Sequence, residues 1–95
     1  MNRRIVLSKS FRRAFKTFVK KHPKQKQKIE ETIVLLQEDT YNPILKTHKL
    51  SGNLFGLNAL SCGFDCRIVF KILKDKTQNV DVIILIDIGD HKNVY

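Results

Sequence analysis

Apolar residues in the first third of the chain follow the period of a helix. Four of them lie at i, i+4, i+7 and i+8: Phe11, Phe15, Phe18 and Val19. This spacing places them on one helix face, and Ser8 or Ser10 can cap the helix N-terminus. Pro23 ends this helix near residues 21–22 and suits the first turn of a second helix, predicted over residues 24–38. The buried stripe of the second helix consists of Ile29, Ile33 and Leu36, with Val34 or Leu35 beside them.

Other apolar segments have the length and composition of strands. They cover residues 3–8, 54–61, 65–73 and 80–88, and an irregular segment over 39–51 precedes the second of them. The last segment is almost continuously apolar, which is typical of a central strand buried on both faces. We therefore predict an α+β fold of order β-α-α-β-β-β. Its last three strands form an antiparallel sheet, the N-terminal strand joins that sheet, and the αα-hairpin packs on one face.

The charge of the chain is concentrated at one end. Of its 18 Lys and Arg residues, eleven lie in residues 1–28, a segment without any Asp or Glu. The other seven are outnumbered by nine acidic residues, so residues 29–95 carry a net charge of −2 and the whole chain carries +9. A polarised basic surface attracts a polyanion, most often a nucleic acid. The alternative is that the charge serves only solubility.

Length and composition narrow the class of protein. At 95 residues the chain forms one domain, predicted over 1–95. It contains no apolar run long enough to cross a membrane and no apolar segment typical of a secretory signal. Cys62 and Cys66 are too few for a disulfide scaffold, and their spacing does not match a zinc site. We expect a cytoplasmic protein that uses no metal or other cofactor and has no membrane partner.

The strand predicted over 65–73 sorts its side chains onto two faces. Alternation places four apolar side chains toward the helices: Cys66, Ile68, Phe70 and Ile72. Asp65, Arg67 and Lys71 lie on the other face, where an acid and two cations can meet a ligand. An ordinary solvated sheet face is the alternative interpretation.

Two histidines are candidates for proton transfer. His48 lies in a loop between Lys46 and Lys49, and His91 comes shortly after the predicted central strand, followed by the aromatic Tyr95. Histidine titrates near neutral pH and is the side chain most often used as a general acid or base. The alternatives are an exposed loop histidine and a chain terminus without a role.

Three segments of the chain resemble a known family. Residues 48–56 resemble the H-x-L-x-G-x-x-x-G stretch of YafQ-type bacterial toxins, which belong to the RelE/ParE superfamily of type II toxin–antitoxin systems. Residues 65–70 are similar to the family's strand of an arginine followed by hydrophobic and aromatic residues. Residues 88–95 are similar to its terminal glycine, histidine and aromatic signature. With the matching order of elements, the resemblance covers nearly the whole chain and implies a RelE-like fold.

The resemblance implies an activity and its partners. Toxins of the YafQ type are ribosome-dependent mRNA endoribonucleases that inhibit translation, and a cognate acidic antitoxin neutralises them. They use no metal: the mRNA 2′-OH attacks its own 3′-phosphate and leaves a 2′,3′-cyclic phosphate. Such an enzyme must remove a proton from the 2′-OH, stabilise the added phosphate charge and protonate the leaving oxygen.

The matching positions imply roles for particular residues. The catalytic set consists of His48, Asp65, Arg67, His91 and Tyr95. In this set His91 is the general acid, and either His48 or Asp65 is the general base. Tyr95 stacks on a nucleobase of the RNA. Arg67, with Lys49, stabilises the phosphate charge. The cations expected to bind RNA, with ribosomal RNA on the helices, are Arg12, Arg13, Lys16, Lys20, Lys46 and Lys49.

The chain departs from the family pattern at two positions. Ser61 stands where the toxin compared has a histidine, and Cys66 stands where it has a tryptophan. The missing histidine bears on which residue acts as base. Two other functions remain alternatives: inhibition of DNA gyrase without catalysis, as by ParE-type relatives, and RNA binding without cleavage.

Overall fold

The computed structural model describes residues 3–63 and 65–90. Its helices and strands are, in chain order, β1 (Arg3–Leu7), α1 (Lys9–Lys21), α2 (Lys26–Glu38), β2 (His48–Lys49), β3 (Asn58–Ser61), β4 (Arg67–Asp75) and β5 (Val80–Gly89). Short 3-10 turns cover Pro23–Gln25, Pro43–Leu45 and Gly52–Leu54. Within these described ranges, every helix is too short or too polar to cross a membrane.

The strands form one mixed sheet in the order β1-β5-β4-β3-β2. β1 is parallel to β5, and each other neighbouring pair is antiparallel. Both helices follow β1 in the chain and cover one face of the sheet, where they enclose the core with β3, β4 and β5. The predicted α+β fold is therefore confirmed, including the antiparallel arrangement of the last three strands and the addition of the first strand to them.

The segment between α2 and β3 contains more regular structure than its sequence predicts. His48 and Lys49 form a two-residue edge strand, paired with Ala59 and Asn58 of β3, inside the segment that we expected to be irregular. β3 begins at Asn58 instead of residue 54 because Gly52–Leu54 forms a 3-10 turn. A two-residue strand has no period of its own, so pattern analysis cannot detect it.

The helices bury the faces that their periodicity predicts. Ser8, one of the two predicted caps, accepts a hydrogen bond from the backbone N–H of Phe11 through its Oγ at 3.0 Å. In α2, Leu35 packs against the core whereas Val34 is 54% exposed. Thr32 is more deeply buried than the predicted Ile33, because its hydroxyl donates to the carbonyl of Lys28 at 2.7 Å and so remains satisfied inside the protein.

β5 is an interior strand between β1 and β4, but only one of its faces is fully buried. Ile83, Leu85 and Ile88 lie in the core, while Ile84 is half-buried on the other face, which helices do not cover. Leu85 and Ile88 point the same way although three positions separate them. A bulge explains this: Val69 and Phe70 of β4 pair with Asp87 and Leu85, so the residue between those two is extra.

A disulfide joins Cys62 and Cys66, whose Cα atoms are 5.1 Å apart. Both side chains are buried in the core between the end of β3 and the start of β4. The number and spacing of the cysteines, which argue against a scaffold of several disulfides and against a zinc site, do not predict this bond. It closes the turn between the two strands.

The core predicts a large difference between two Phe→Ala variants. Phe70 is fully buried, so Phe70→Ala should lower the free energy of unfolding by about 3–5 kcal/mol. Phe55 is 85% exposed, so Phe55→Ala should change that free energy by less than about 0.5 kcal/mol. Urea denaturation followed by circular dichroism measures both. Equal losses of stability in the two variants would contradict the described core.

Candidate functional site

The pairing register brings His48 and Arg67 to the same face of the sheet. His48 pairs with Ala59, which pairs with Val69, while Arg67 pairs with Ser61. Residues that pair directly project to the same side, and the side alternates along each strand. This side is opposite the one that packs under the helices. From strand spacing and rise, the Cα atoms of His48 and Arg67 are about 12 Å apart, two strands and two residues from each other.

Arg67 is half-buried and is held by the turn that precedes it. Its Nη1 donates to the carbonyl oxygen of Cys66 at 3.1 Å and to the Oγ of Ser61 at 3.4 Å. Ser61 in turn donates to the carbonyl of Gly63 at 3.3 Å. Because Ser61 lies on β3, between β4 and β2, the guanidinium group leans toward the strand that carries His48. These contacts fix a cation that has the planar donor geometry for phosphate.

His48 is exposed, and its tautomer follows from one contact. Its Nδ1 lies 2.9 Å from the carbonyl oxygen of Lys46. A carbonyl oxygen can only accept, so Nδ1 must carry the proton of this hydrogen bond. In the neutral ring Nε2 is then the nitrogen with a lone pair, as a general base requires. Lys46 itself has a left-handed φ of 54°, and this conformation sets the direction of the chain between Lys46 and His48.

Asp65 lies in the turn closed by the disulfide, at the end of the sheet where Arg67 begins β4. It is exposed and has a left-handed φ of 50°, a conformation that aspartate tolerates better than most residues. Asp65 and Arg67 are therefore neighbours at one end of the sheet. His48 lies farther along the sheet surface, on the edge strand.

The remaining candidates of the catalytic set fall in different places. β5 ends at Gly89, directly opposite Arg67 in the ladder. His91 and Tyr95 lie outside the described residues. Lys49 pairs with Asn58, one position from His48, and therefore lies on the opposite face of the edge strand. The geometry thus does not bring Lys49 to the side of Arg67.

The predicted RNA-binding cations of α1 are all exposed and form two rows. Arg12, Lys16 and Lys20 are four residues apart and share one row of the helix surface. Arg13 belongs to the other row and lines a cleft of about 370 Å³ between α1 and the end of β5, where Gly89 is also found. The basic helix therefore borders the end of the sheet that holds Arg67, although the two are far apart in sequence.

Lys46 lies at a second cleft, of about 430 Å³, between α2 and the disulfide turn. Ser61 also lines this cleft, together with Glu31 of α2. Among residues 3–63 and 65–90, three or more side chains that bind metals do not come together anywhere. Ser61 is the site residue that composition and spacing do not reveal. The signal that points to it is the resemblance described above, in which the toxin compared has a histidine at this position.

Comparison with known proteins identifies the fold. Chains of solved structures superpose on almost the entire protein. YafQ from E. coli strain BL21(DE3) matches with a TM-score of 0.77 and 22% identity, and the alignment covers 98% of both chains. A chain of the E. coli DinJ–YafQ toxin–antitoxin complex matches with a TM-score of 0.76 and 23% identity, over 100% of this chain and 99% of that one. The protein thus has the RelE-like fold of these toxins.

A second group of toxins shares the fold. The YoeB/ParE toxin from Agrobacterium tumefaciens matches with a TM-score of 0.73 and 15% identity, over 93% of this chain and 98% of that one. No protein-family model and no curated protein sequence matches the chain. The likeness is therefore one of architecture, and it agrees with the resemblance found in three short segments of the sequence.

The contact between His48 and Lys46 predicts the tautomer of the histidine. In the neutral ring, Nδ1 should be protonated and Nε2 should not, because the Lys46 carbonyl accepts the proton of Nδ1. Long-range ¹H–¹⁵N correlation spectra above the titration range distinguish the two nitrogens directly. His22, an exposed ring that contacts Phe18, is the internal reference. A neutral His48 protonated at Nε2 would contradict the described hydrogen bond.

Proposed function

We propose that this protein is the toxin of a type II toxin–antitoxin system and that it cleaves mRNA on the ribosome. The observation that carries the proposal is the pairing register, which brings His48 and Arg67 to one side of a YafQ-like sheet. A proton acceptor and a fixed guanidinium on one surface are two of the groups that cleavage by a 2′-OH needs.

In the proposed reaction, a base removes the proton of the 2′-OH while its oxygen attacks the adjacent phosphorus. The bond to the 5′-oxygen of the next nucleotide breaks, which leaves a 2′,3′-cyclic phosphate and a 5′-hydroxyl. The proposed base is His48 or Asp65; if it is His48, Nε2 is the nitrogen that accepts the proton, because Nδ1 is hydrogen-bonded to the Lys46 carbonyl. Arg67 stabilises the charge on the phosphate. His91 remains the proposed acid that protonates the leaving oxygen, and Tyr95 the proposed stacking residue.

The basic helix supplies the proposed contact with the ribosome. Its exposed row of Arg12, Lys16 and Lys20 is suited to the phosphates of ribosomal RNA, because contacts with phosphate give strong binding without reading sequence. Arg13, at the cleft beside Gly89, connects this docking surface to the end of the sheet. We propose that an acidic antitoxin covers the same surface. One of the matching structures, the E. coli DinJ–YafQ complex, is a toxin bound to its antitoxin.

Expression under a controlled promoter tests the proposed function. Growth arrest, together with mRNA cut only when ribosomes are present, supports it. Normal growth with a stable, folded protein would refute it. Arrest without RNA cleavage but with loss of DNA supercoiling would indicate a gyrase inhibitor. Tight, salt-sensitive RNA binding without arrest or cleavage would indicate a binding module.

The role of Arg67 predicts a loss of rate that a neighbouring cation does not share. Arg67→Ala should lower kcat for mRNA cleavage by about 10²–10³-fold, the usual effect of removing one group that stabilises transition-state charge. Lys71→Ala is the matched control, since Lys71 is an exposed cation on the same face of β4, about 13 Å away. Cleavage assays on purified ribosomes with a defined mRNA measure both. A similar loss in both variants would remove Arg67 from its proposed role.

Substitutions in the exposed row of α1 should change the binding of ribosomes and not the rate of the cleavage step. Reversing two charges of the row, Lys16→Glu with Lys20→Glu, should raise the KM for ribosomes and leave kcat within about twofold. The slope of log KM against log salt should fall by about one per phosphate contact removed. Lys74→Glu with Lys76→Glu makes the same charge change at the far end of β4. If both pairs raise KM equally, net charge and not the helix surface determines binding.

A further inference from the structure

The disulfide lies at the turn that holds Arg67, the cation of the candidate site. Cys62 follows the last residue of β3, and Cys66 precedes the first residue of β4. Between them, Gly63 has φ 118° and Asp65 has φ 50°, both in the region that most side chains avoid. A turn with two residues in this region is only weakly held in one conformation by its own sequence. A covalent bond across the turn therefore strongly restricts the conformations that it occupies.

Every described hydrogen bond of Arg67's side chain goes to this turn or its first flanking residue. The guanidinium donates to the carbonyl of Cys66 and to the hydroxyl of Ser61, and Ser61 donates to the carbonyl of Gly63. The backbone N–H of Cys62 donates to the carbonyl of Cys66 at 3.0 Å, so that same carbonyl oxygen serves both the turn and the arginine. The position of Cys66 therefore determines where the guanidinium is held.

We propose that the Cys62–Cys66 disulfide is a positioning element for Arg67, and that the protein cleaves RNA faster when this disulfide is formed than when it is reduced. The inference rests on the proposed function for its activity readout. It concerns the chemistry of two cysteines that take no part in the cleavage itself. Cys66 stands where the toxin compared with this chain has a tryptophan.

The redox step is a thiol–disulfide exchange with a dithiol reductant. The Sγ–Sγ bond breaks, Cys62 and Cys66 each gain a proton and one electron, and the dithiol is oxidised to its own disulfide. Both sulfurs are buried, with residues 1% and 0% exposed, so the exchange requires the turn to open. Gly63 and Asp65 of this turn are exposed, so the proposed opening is confined to the turn.

The experiment compares oxidised and reduced protein at a temperature well below unfolding, with free thiols counted in each sample. Reduction of the wild type should lower kcat for mRNA cleavage by about tenfold, because the hydrogen bonds that hold the Arg67 guanidinium are loosened. The KM for ribosomes should stay within about twofold, because α1 is unchanged. Reoxidation should restore kcat. The variant Cys62→Ala with Cys66→Ala should match the reduced wild type and should not respond to the dithiol.

A control variant distinguishes the proposed effect on Arg67 from a general loss of stability. Ile83→Val removes one buried methyl group from β5 at the position paired with Ile72, five residues along β4 from Arg67, and should lower the unfolding temperature without changing kcat. If reduced wild type, with two free thiols, cleaves as fast as the oxidised protein, the proposal is wrong. It is also wrong if the dithiol inhibits the double cysteine variant as strongly as the wild type.

A measurement without RNA decides the inference even if the protein proves not to be a ribonuclease. The Arg67 Nε–Hε resonance is assigned by its loss in Arg67→Lys. On reduction this resonance should shift and broaden as the guanidinium leaves its fixed position, while arginine resonances of α1 stay unchanged. An unchanged Arg67 resonance in fully reduced protein would overturn the positioning role. Absence of cleavage in both redox states would refute only the proposed function.

Discussion

The register of β4 between β3 and β5 is the constraint on which both the core and the candidate site depend. Ile68 pairs with Leu60 and Ile88 under the helices, while Arg67 pairs with Ser61 and Gly89 on the other side. A slip of one residue would turn Arg67 into the core and Ile68 into solvent. The burial of the apolar side chains therefore aims the arginine, and any ligand that binds it relies on the stability of the hydrophobic core.

Local pattern was sufficient to predict the elements that bury their own periodic faces. The alternation along β4 correctly placed Cys66, Ile68 and Phe70 in the core and Arg67 opposite them, because each residue's side follows from its neighbours in sequence. The edge strand at His48, the bulge in β5 and the disulfide were not predictable in this way. The edge strand and the bulge exist only because separate segments pair in space, and the disulfide joins cysteines four residues apart in a turn without periodicity.

The basic residues of the N-terminal segment and the residues of the candidate site are far apart in the sequence but adjacent in the fold. The segment 1–28 carries eleven of the 18 basic residues and none of the acids, and it includes all of α1. Because β1 is parallel to β5, α1 runs beside the end of β5 and Arg13 reaches the cleft at Gly89. A polyanion bound to this helix, as we propose, would lie close to the end of the sheet that holds Arg67 and Asp65, although the two regions are distant in sequence.

The two positions at which the chain departs from the family pattern are both partners of Arg67. Ser61 accepts from its guanidinium through a hydroxyl, and Cys66 accepts through a carbonyl whose place the disulfide helps to set. A histidine at position 61 would bring a second titratable ring beside the cation, whereas serine brings a neutral oxygen that changes no charge with pH. In the proposed reaction the proton of the 2′-OH then passes to His48 or to Asp65, and Arg67 is a fixed positive charge that the turn, and not a neighbouring ring, orients.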